Sequence, residues 1–224
     1  MLTRILTVII IFANIIKIEP SADLIQKTRE KIAQINISFL ENNTPGKSVI
    51  NELEKLLNEL KNDRIFPNSI INDKKHKYKT GQLIKSFKTF EKFLQSNPEV
   101  DTLKKIFRIV NNEFNSLFGN YFLDELKGSS RRKIILFSTS VSCECTLEMC
   151  YLQECEIQKL QKENTGLFDY AVVDCFTNSD LQSKHEVGFF PTVIILDSKN
   201  KEMKRFVRRE KFYEEIVNYM LNIN

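Results

Sequence analysis

Residues 171–192 read AVVDCFTNSDLQSKHEVGFFPT and hold the end of one strand, a short helix and the start of another strand. Asp169 to Asp174, DYAVVD, is an apolar β-run. Ser179 is placed to cap a short helix reaching Glu186, because a serine hydroxyl accepts a hydrogen bond from an N–H that the first turn leaves unpaired. Phe190-Pro191-Thr192 leads into a second run, TVIILD, from Thr192 to Asp197. Upstream, KIILFS from Lys133 to Ser138 is another β-run, followed by a helix from about Cys145 to Glu163. Downstream, Ser198-Lys199-Asn200 forms a turn, Glu202–Val207 a fourth strand, and Glu210–Leu221 a closing helix. The runs are short enough for strands covered on both faces. Right-handed crossovers make the first two strands parallel, and the tight turn makes the last two antiparallel. The expected architecture is α/β, a mixed central sheet flanked by helices.

Two sections lie ahead of this one. Arg4 precedes an apolar run, Ile5–Ile16, broken by Thr7 and Asn14 and ended by Lys17 and Glu19. A dozen apolar residues fall short of the ~20 that span a bilayer as a helix. Residues 1–22 are therefore expected to be a secretory signal peptide, with an uncleaved anchor or a buried core helix as alternatives. A signal implies the secretory pathway, in the endoplasmic reticulum lumen or secreted, where disulfides persist. The terminal Leu-Asn-Ile-Asn is not a KDEL-type retention signal. A membrane partner follows only if the N-terminal segment stays uncleaved.

Residues 23–111 are expected to form an all-α domain and residues 112–224 the sheet domain. Leu24, Thr28, Ile32, Ile35 and Phe39 recur at helical spacing, as do Val49, Leu53, Leu56, Leu57 and Leu60 behind a Ser48 cap. A lysine-rich link is expected over 62–79. Thr80 is then placed to cap a third helix carrying Leu83, Ile84, Phe87, Phe90 and Leu94. Asp101 is placed to cap a fourth, with Leu103, Ile106, Phe107, Val110 and Phe114, and a short separate helix is expected at Phe122–Leu126. These stripes read as the core of a small bundle, or as a groove for a partner chain. Asn36-Ile37-Ser38 and Asn42-Asn43-Thr44 are formal glycosylation acceptors. With 33 basic and 29 acidic residues the charge is +4. That balance, without an aromatic-interleaved basic stripe, gives no case for nucleic acid.

The strand and helix order resembles the thioredoxin fold. Residues 171–192 look like the matching part of a protein disulfide isomerase domain, where a Val-Asp strand end leads through a helix to Val-x-x-x-Pro-Thr and a strand. Residues 122–137 look like the family's first helix and central strand. The resemblance covers half the chain and implies a thiol–disulfide oxidoreductase or isomerase that needs no cofactor. Its partners would be client polypeptides carrying thiols or disulfides. It makes Pro191 a cis-proline, a form that costs only about 0.5–1 kcal/mol over trans at X–Pro bonds. With Phe190, Pro191 would shape the groove that presents the substrate backbone. Counting from Phe137 puts Ser142 where the family's first cysteine stands, Cys145 on the second, and Val141 on the preceding aromatic. Cys150 replaces a proline, and Leu136 a buried acid. The motif is thus Ser-Cys-Glu-Cys, with Ser142 and Val141 also at the substrate groove.

Exchange needs a thiolate at a helix N-terminus and a second thiol to release the mixed disulfide. Cys143, just ahead of the helix, is the expected attacker and Cys145 the resolver. A Cys-x-Cys disulfide closes a small strained ring, which suits donating or shuffling disulfides. Glu144 opposes thiolate formation by like charge. A structural or permanently oxidised role for these cysteines is the alternative, with Cys150 reaching back to Cys143. A redox-inactive chaperone or scaffold is the matching alternative function. Cys150 and Cys155 lie about 140° apart round their helix, so they are not expected to pair. Cys175 is expected to be buried. Five cysteines leave at least one thiol free or bonded between chains. Their spacing, with His185, fits no zinc ribbon or knuckle, so no metal is expected. His76 and His185 sit near no Ser/Asp constellation, which leaves hydrolysis remote.

Overall fold

A computed structural model describes residues 20–62 and 73–222. Residues 1–19, and with them nearly all of the expected signal peptide, lie outside the described residues. Four helices come first: α1 (Pro20–Leu40), α2 (Lys47–Asn62), α3 (Asp73–Gln95) and α4 (Val100–Gly128). There follow β1 (Arg132–Ser138), α5 (Glu144–Glu163), β2 (Phe168–Asp174), α6 (Ser179–Lys184), β3 (Thr192–Leu196), β4 (Glu202–Val207) and α7 (Phe212–Asn222). Among these helices, none is long and apolar enough to cross a membrane.

The apolar stripes become the helical core. Ile32, Ile35 and Phe39 of α1, Leu53, Leu57 and Leu60 of α2, Leu83, Phe87 and Phe90 of α3, and Leu103, Phe107 and Val110 of α4 are all buried together. The rings of Phe39, Phe90 and Phe107 meet at centroid distances of 6.2, 5.8 and 4.8 Å, tying α1, α3 and α4. Each buried phenylalanine contributes roughly 1.5–3 kcal/mol. Two expectations need correction. The link over 62–79 is helical from Asp73, and Thr80 is a buried residue inside α3, not its cap. Lysine is a good helix former, and no proline lies between Asp73 and Gln95. The helices expected around Asp101 and Phe122 are one helix of 29 residues, α4. The junction between residues 111 and 112 lies inside it.

The sheet has strand order β2-β1-β3-β4. β1 runs parallel to β2, with Ile135 beside Ala171 and Ser138 beside Asp174. β3 is antiparallel to both β1 and β4. Alternation gives the sheet two apolar faces. Ile135, Phe137, Ala171, Val173 and Ile194 join the same core as the four N-terminal helices. Ile134, Leu136, Val172, Val193 and Ile195 pack with Ile157 and Leu160 of α5 and Phe212, Ile216 and Met220 of α7. The mixed sheet flanked by helices, behind an all-α region, is as expected.

α4 approaches β2 closely at Gly119, where a Cβ would lie 2.5 Å from the Val172 carbonyl oxygen. A buried polar network bridges α1, α4 and α5. Tyr151 donates its hydroxyl to Asn36 at 2.7 Å, and Asn36 donates to Asn111 and Gln158 at 2.9 Å. Glu154 accepts from Asn111 at 2.7 Å, from Asn115 at 2.8 and 3.0 Å, and from Gln158 at 3.1 Å. Asn36 is thus no glycosylation acceptor, because its amide is buried and bonded in this network. Burial pushes the Glu154 carboxyl up to about 7, against the Asn115 and Asn111 hydrogen bonds that lower it.

Gly119→Ala is expected to lower stability by roughly 1–3 kcal/mol, since the clash is with backbone. Gly81→Ala, inside α3 with no atom within 4 Å of the added Cβ, should raise it by about 0.5–1 kcal/mol. Thermal denaturation of both variants tests the pair, and equal effects would remove the packing account. For Glu154 the folded pKa lies above the ordinary 4.5. The folded state therefore holds a proton that the unfolded chain releases. Its contribution is fully present below pH 4.5 and is lost as pH rises through about 7. Glu154→Gln should flatten that part of the pH dependence in urea titrations.

Candidate functional site

The C-terminal ends of β1 and β2 lie side by side, and the loop after β1 is fixed by the end of β2. The buried Asp174 carboxylate accepts from the Ser140 backbone N–H at 2.9 Å and the Ser140 hydroxyl at 2.8 Å. It also accepts from the Phe176 N–H at 3.1 Å and the Thr177 hydroxyl at 3.3 Å. One carboxylate therefore holds both loops at the sheet edge. Thr139 donates its hydroxyl to the Val141 carbonyl at 3.0 Å, setting the turn that delivers Cys143.

Cys143 is the N-cap residue of α5, with extended backbone. Its carbonyl accepts from Thr146 and Leu147 N–H at 3.0 and 3.1 Å, starting the helix. Its Sγ lies 2.8 Å from Cys145 Sγ and 3.2 Å from Thr146 Oγ1. Those two hydrogen bonds, the Cys145 thiol first, bring the Cys143 thiol down to about 6. Cys143 is thus the candidate nucleophile, with Cys145 Sγ and Thr146 Oγ1 beside its sulfur. Of the five cysteines, Cys143 and Cys145 are exposed and Cys150, Cys155 and Cys175 are buried. Burial pushes the Cys150 thiol up, the Cys155 thiol well up and the Cys175 thiol to about 12. Ser138 and Thr139 beside Cys150 lower its thiol pKa, against the larger effect of burial.

Glu144 does not face the thiolate uncompensated. Arg108 of α4 holds its carboxylate through two hydrogen bonds of 2.9 and 2.8 Å, and this pairing keeps the Glu144 carboxyl below its usual range. Leu136 is fully buried in the sheet core, in register with Val172 and Val193. The Phe190–Pro191 bond is cis. Phe137 pairs with Thr192, so Pro191 lies one step further, at the end of β1 from which the cysteine loop springs. Phe190 is half-buried against the core, and Phe189 is 62% exposed. Val141 and Phe176, at the same edge, are 58% and 63% exposed, and Ser142 is exposed. Phe189 is thus the more exposed aromatic beside Pro191, next to the Phe190 named from sequence.

Sequence reasoning brought Cys143, Cys145, Ser142, Val141 and Pro191 to one edge. It missed Asp174, Thr146 and Arg108. The Val-Asp strand end carried a signal for Asp174, whereas nothing in sequence links Arg108 to a glutamate 36 residues later. Among the described residues no three His, Cys, Asp or Glu side chains gather as a metal-holding group.

Thiolate ultraviolet absorbance is expected to titrate near pH 6 in the intact protein. Cys143→Ser should abolish this step, and Thr146→Val should move it upward. A first thiol titration near the ordinary 9.0 would remove Cys143 as a preformed nucleophile.

No family model matches this sequence, and no curated protein matches it. Solved structures do resemble its C-terminal half. Mitochondrial thioredoxin 3 from Saccharomyces cerevisiae is 14% identical, with 45% of this chain and 88% of that one covered and a TM-score of 0.35. The germline-specific thioredoxin Deadhead of Drosophila melanogaster is 16% identical over 48% of this chain and 94% of its own, with a TM-score of 0.38. Fasciola hepatica thioredoxin is 22% identical over 45% and 89%, with a TM-score of 0.35. The strand order β2-β1-β3-β4, a parallel β1–β2 pair, two antiparallel strands and a cis-proline ahead of β3 give the C-terminal half a thioredoxin-like fold.

Proposed function

We propose that this protein is a secretory-pathway thiol–disulfide oxidoreductase or isomerase of the protein disulfide isomerase type, working through Ser-Cys-Glu-Cys in place of Cys-x-x-Cys. The observation that carries this reading is the exposed Cys143 at the start of α5, with Cys145 Sγ 2.8 Å away. In the forward step the Cys143 thiolate attacks one sulfur of a client disulfide. A mixed disulfide forms and the client's other sulfur leaves as a thiolate. In isomerisation a further client thiolate attacks the client sulfur of that mixed disulfide. The Cys143 thiolate is regenerated, a new client disulfide is formed, and no net electrons move. If the client stalls, the Cys145 thiolate attacks Cys143 Sγ and releases a reduced client, leaving a Cys143–Cys145 disulfide; run backward, the same steps donate that disulfide. Phe189, Phe176 and Val141 offer apolar surface beside the site for unfolded client chain. The apolar run after Arg4 supports passage into the secretory route.

A second reading keeps the client surface without turnover. It is favoured by Ser142 at the family's first cysteine position, which leaves a Cys-x-Cys pair to do the chemistry. Trapping thiols for mass spectrometry across a glutathione series separates the two. The oxidoreductase reading expects a reversible Cys143–Cys145 disulfide, with Cys150, Cys155 and Cys175 unmodified in the folded protein. Failure of Cys143 and Cys145 to pair at any potential would transfer the case to the redox-inactive scaffold.

A further inference from the structure

Three depressions join end to end across the surface of α3 and α4. The first, of about 280 Å³, touches the redox loop at Ser140 and Leu147 and is walled by Arg108, Ile109, Gln82 and Glu113. The second, of about 560 Å³, shares Gln82 and Glu113 with it and adds Tyr78 and Lys85. The third, of about 630 Å³, shares Gly81, Lys85 and Thr89 with the second and ends at Lys88, Lys92 and Phe93. Leu147 donates its N–H to the Cys143 carbonyl, so one end of this track lies within a helical turn of the nucleophile. Gln82 to Gln95 is 14 residues of helix, about 21 Å at ~1.5 Å per residue. An extended chain covers that with about six residues.

The floor and the charge of the track select an occupant. Ile109 and Phe93 are exposed, at 52% and 43%, and Tyr78 at 67%. Lys85, Lys88 and Lys92 recur at i, i+3 and i+7 and line one face of α3. Among the described residues none of the three is in an ion pair. The facing carboxyl, Glu113, takes a hydrogen bond from Ser86 at 3.0 Å and has its other oxygen buried without a partner. Burial pushes the Glu113 pKa up. A half-apolar, cationic track leading away from a thiol nucleophile matches an extended, acidic polypeptide with alternating apolar side chains. We infer that the helical half binds such a segment of the client, on one side of the client cysteine that meets Cys143. This inference rests on the proposed exchange activity and deepens it by naming the client's chemistry.

The test uses the full chain and a labelled peptide of alternating glutamate and leucine ending in serine where a client cysteine would be, so that binding is read without chemistry. Fluorescence anisotropy should give saturable binding that weakens with salt. A matching lysine–leucine peptide should not bind. K85E/K88E/K92E should weaken binding about tenfold, and Gln82→Trp, filling the waist shared by two depressions, should weaken it with every lysine intact. Unchanged melting temperatures would show that both variants fold. Equal binding of both peptides, no binding, or binding to phosphatidylserine vesicles in place of the peptide overturns the inference. Acidic-peptide binding without any Cys143–Cys145 chemistry would sink the exchange reading alone. Exchange chemistry with no peptide preference would sink only the track.

Discussion

Of the glycines, only Gly119 is pressed against backbone, where α4 approaches β2 and meets the Val172 carbonyl. Any side chain at that position would push the helix off the sheet. With the helix seated, Phe114, Leu117, Phe118 and Phe122 reach Ala171 and Val173 on one side of the sheet. The earlier part of the same helix carries Leu103, Phe107 and Val110 into the helical core. Arg108 lies within that earlier part, and its guanidinium reaches Glu144 at the start of α5. The helical half thereby contributes to the setting of the cysteines through a single uninterrupted helix.

Much of this was legible in sequence because it depends on local pattern. Strands β1, β2 and β3 are apolar runs bounded by polar residues, and each lies within a residue or two of its expected limits. The stripes of α1 and α2 likewise depend only on helical periodicity. What failed was the joining of elements. Asn115, Ser116 and Asn120 look like a polar break after Phe114, yet they lie on a helix whose polar positions have partners. Asn115 bonds Glu154 and Asn120 bonds Asn178. The start of α3 was hidden for a related reason, since lysines read as a link where apolar spacing is absent.

The site divided in the same way. Cys143, Cys145 and Pro191 announce themselves by residue type and position. Phe189 and Phe190 are adjacent, and only the backbone direction into β3 decides which faces water. Asp174 and Arg108 act through contacts that close only after folding. Their effect is to turn a sequence with an acidic residue between two cysteines into a site where that acid is held by Arg108 and the Cys143 sulfur lies beside Cys145 and Thr146. Like-charge repulsion, read from adjacency alone, is answered by geometry.

The unbroken α4 also bears on how such a molecule can be inherited. A binding module joined by a flexible tether can be lost, duplicated or exchanged by a break in the tether, leaving each piece able to fold. Here the passage from helices to sheet runs through a 29-residue helix whose two ends pack into one shared core. A break there would strip apolar surface from that core. A piece carrying one half alone would therefore expose apolar surface that the other half covers.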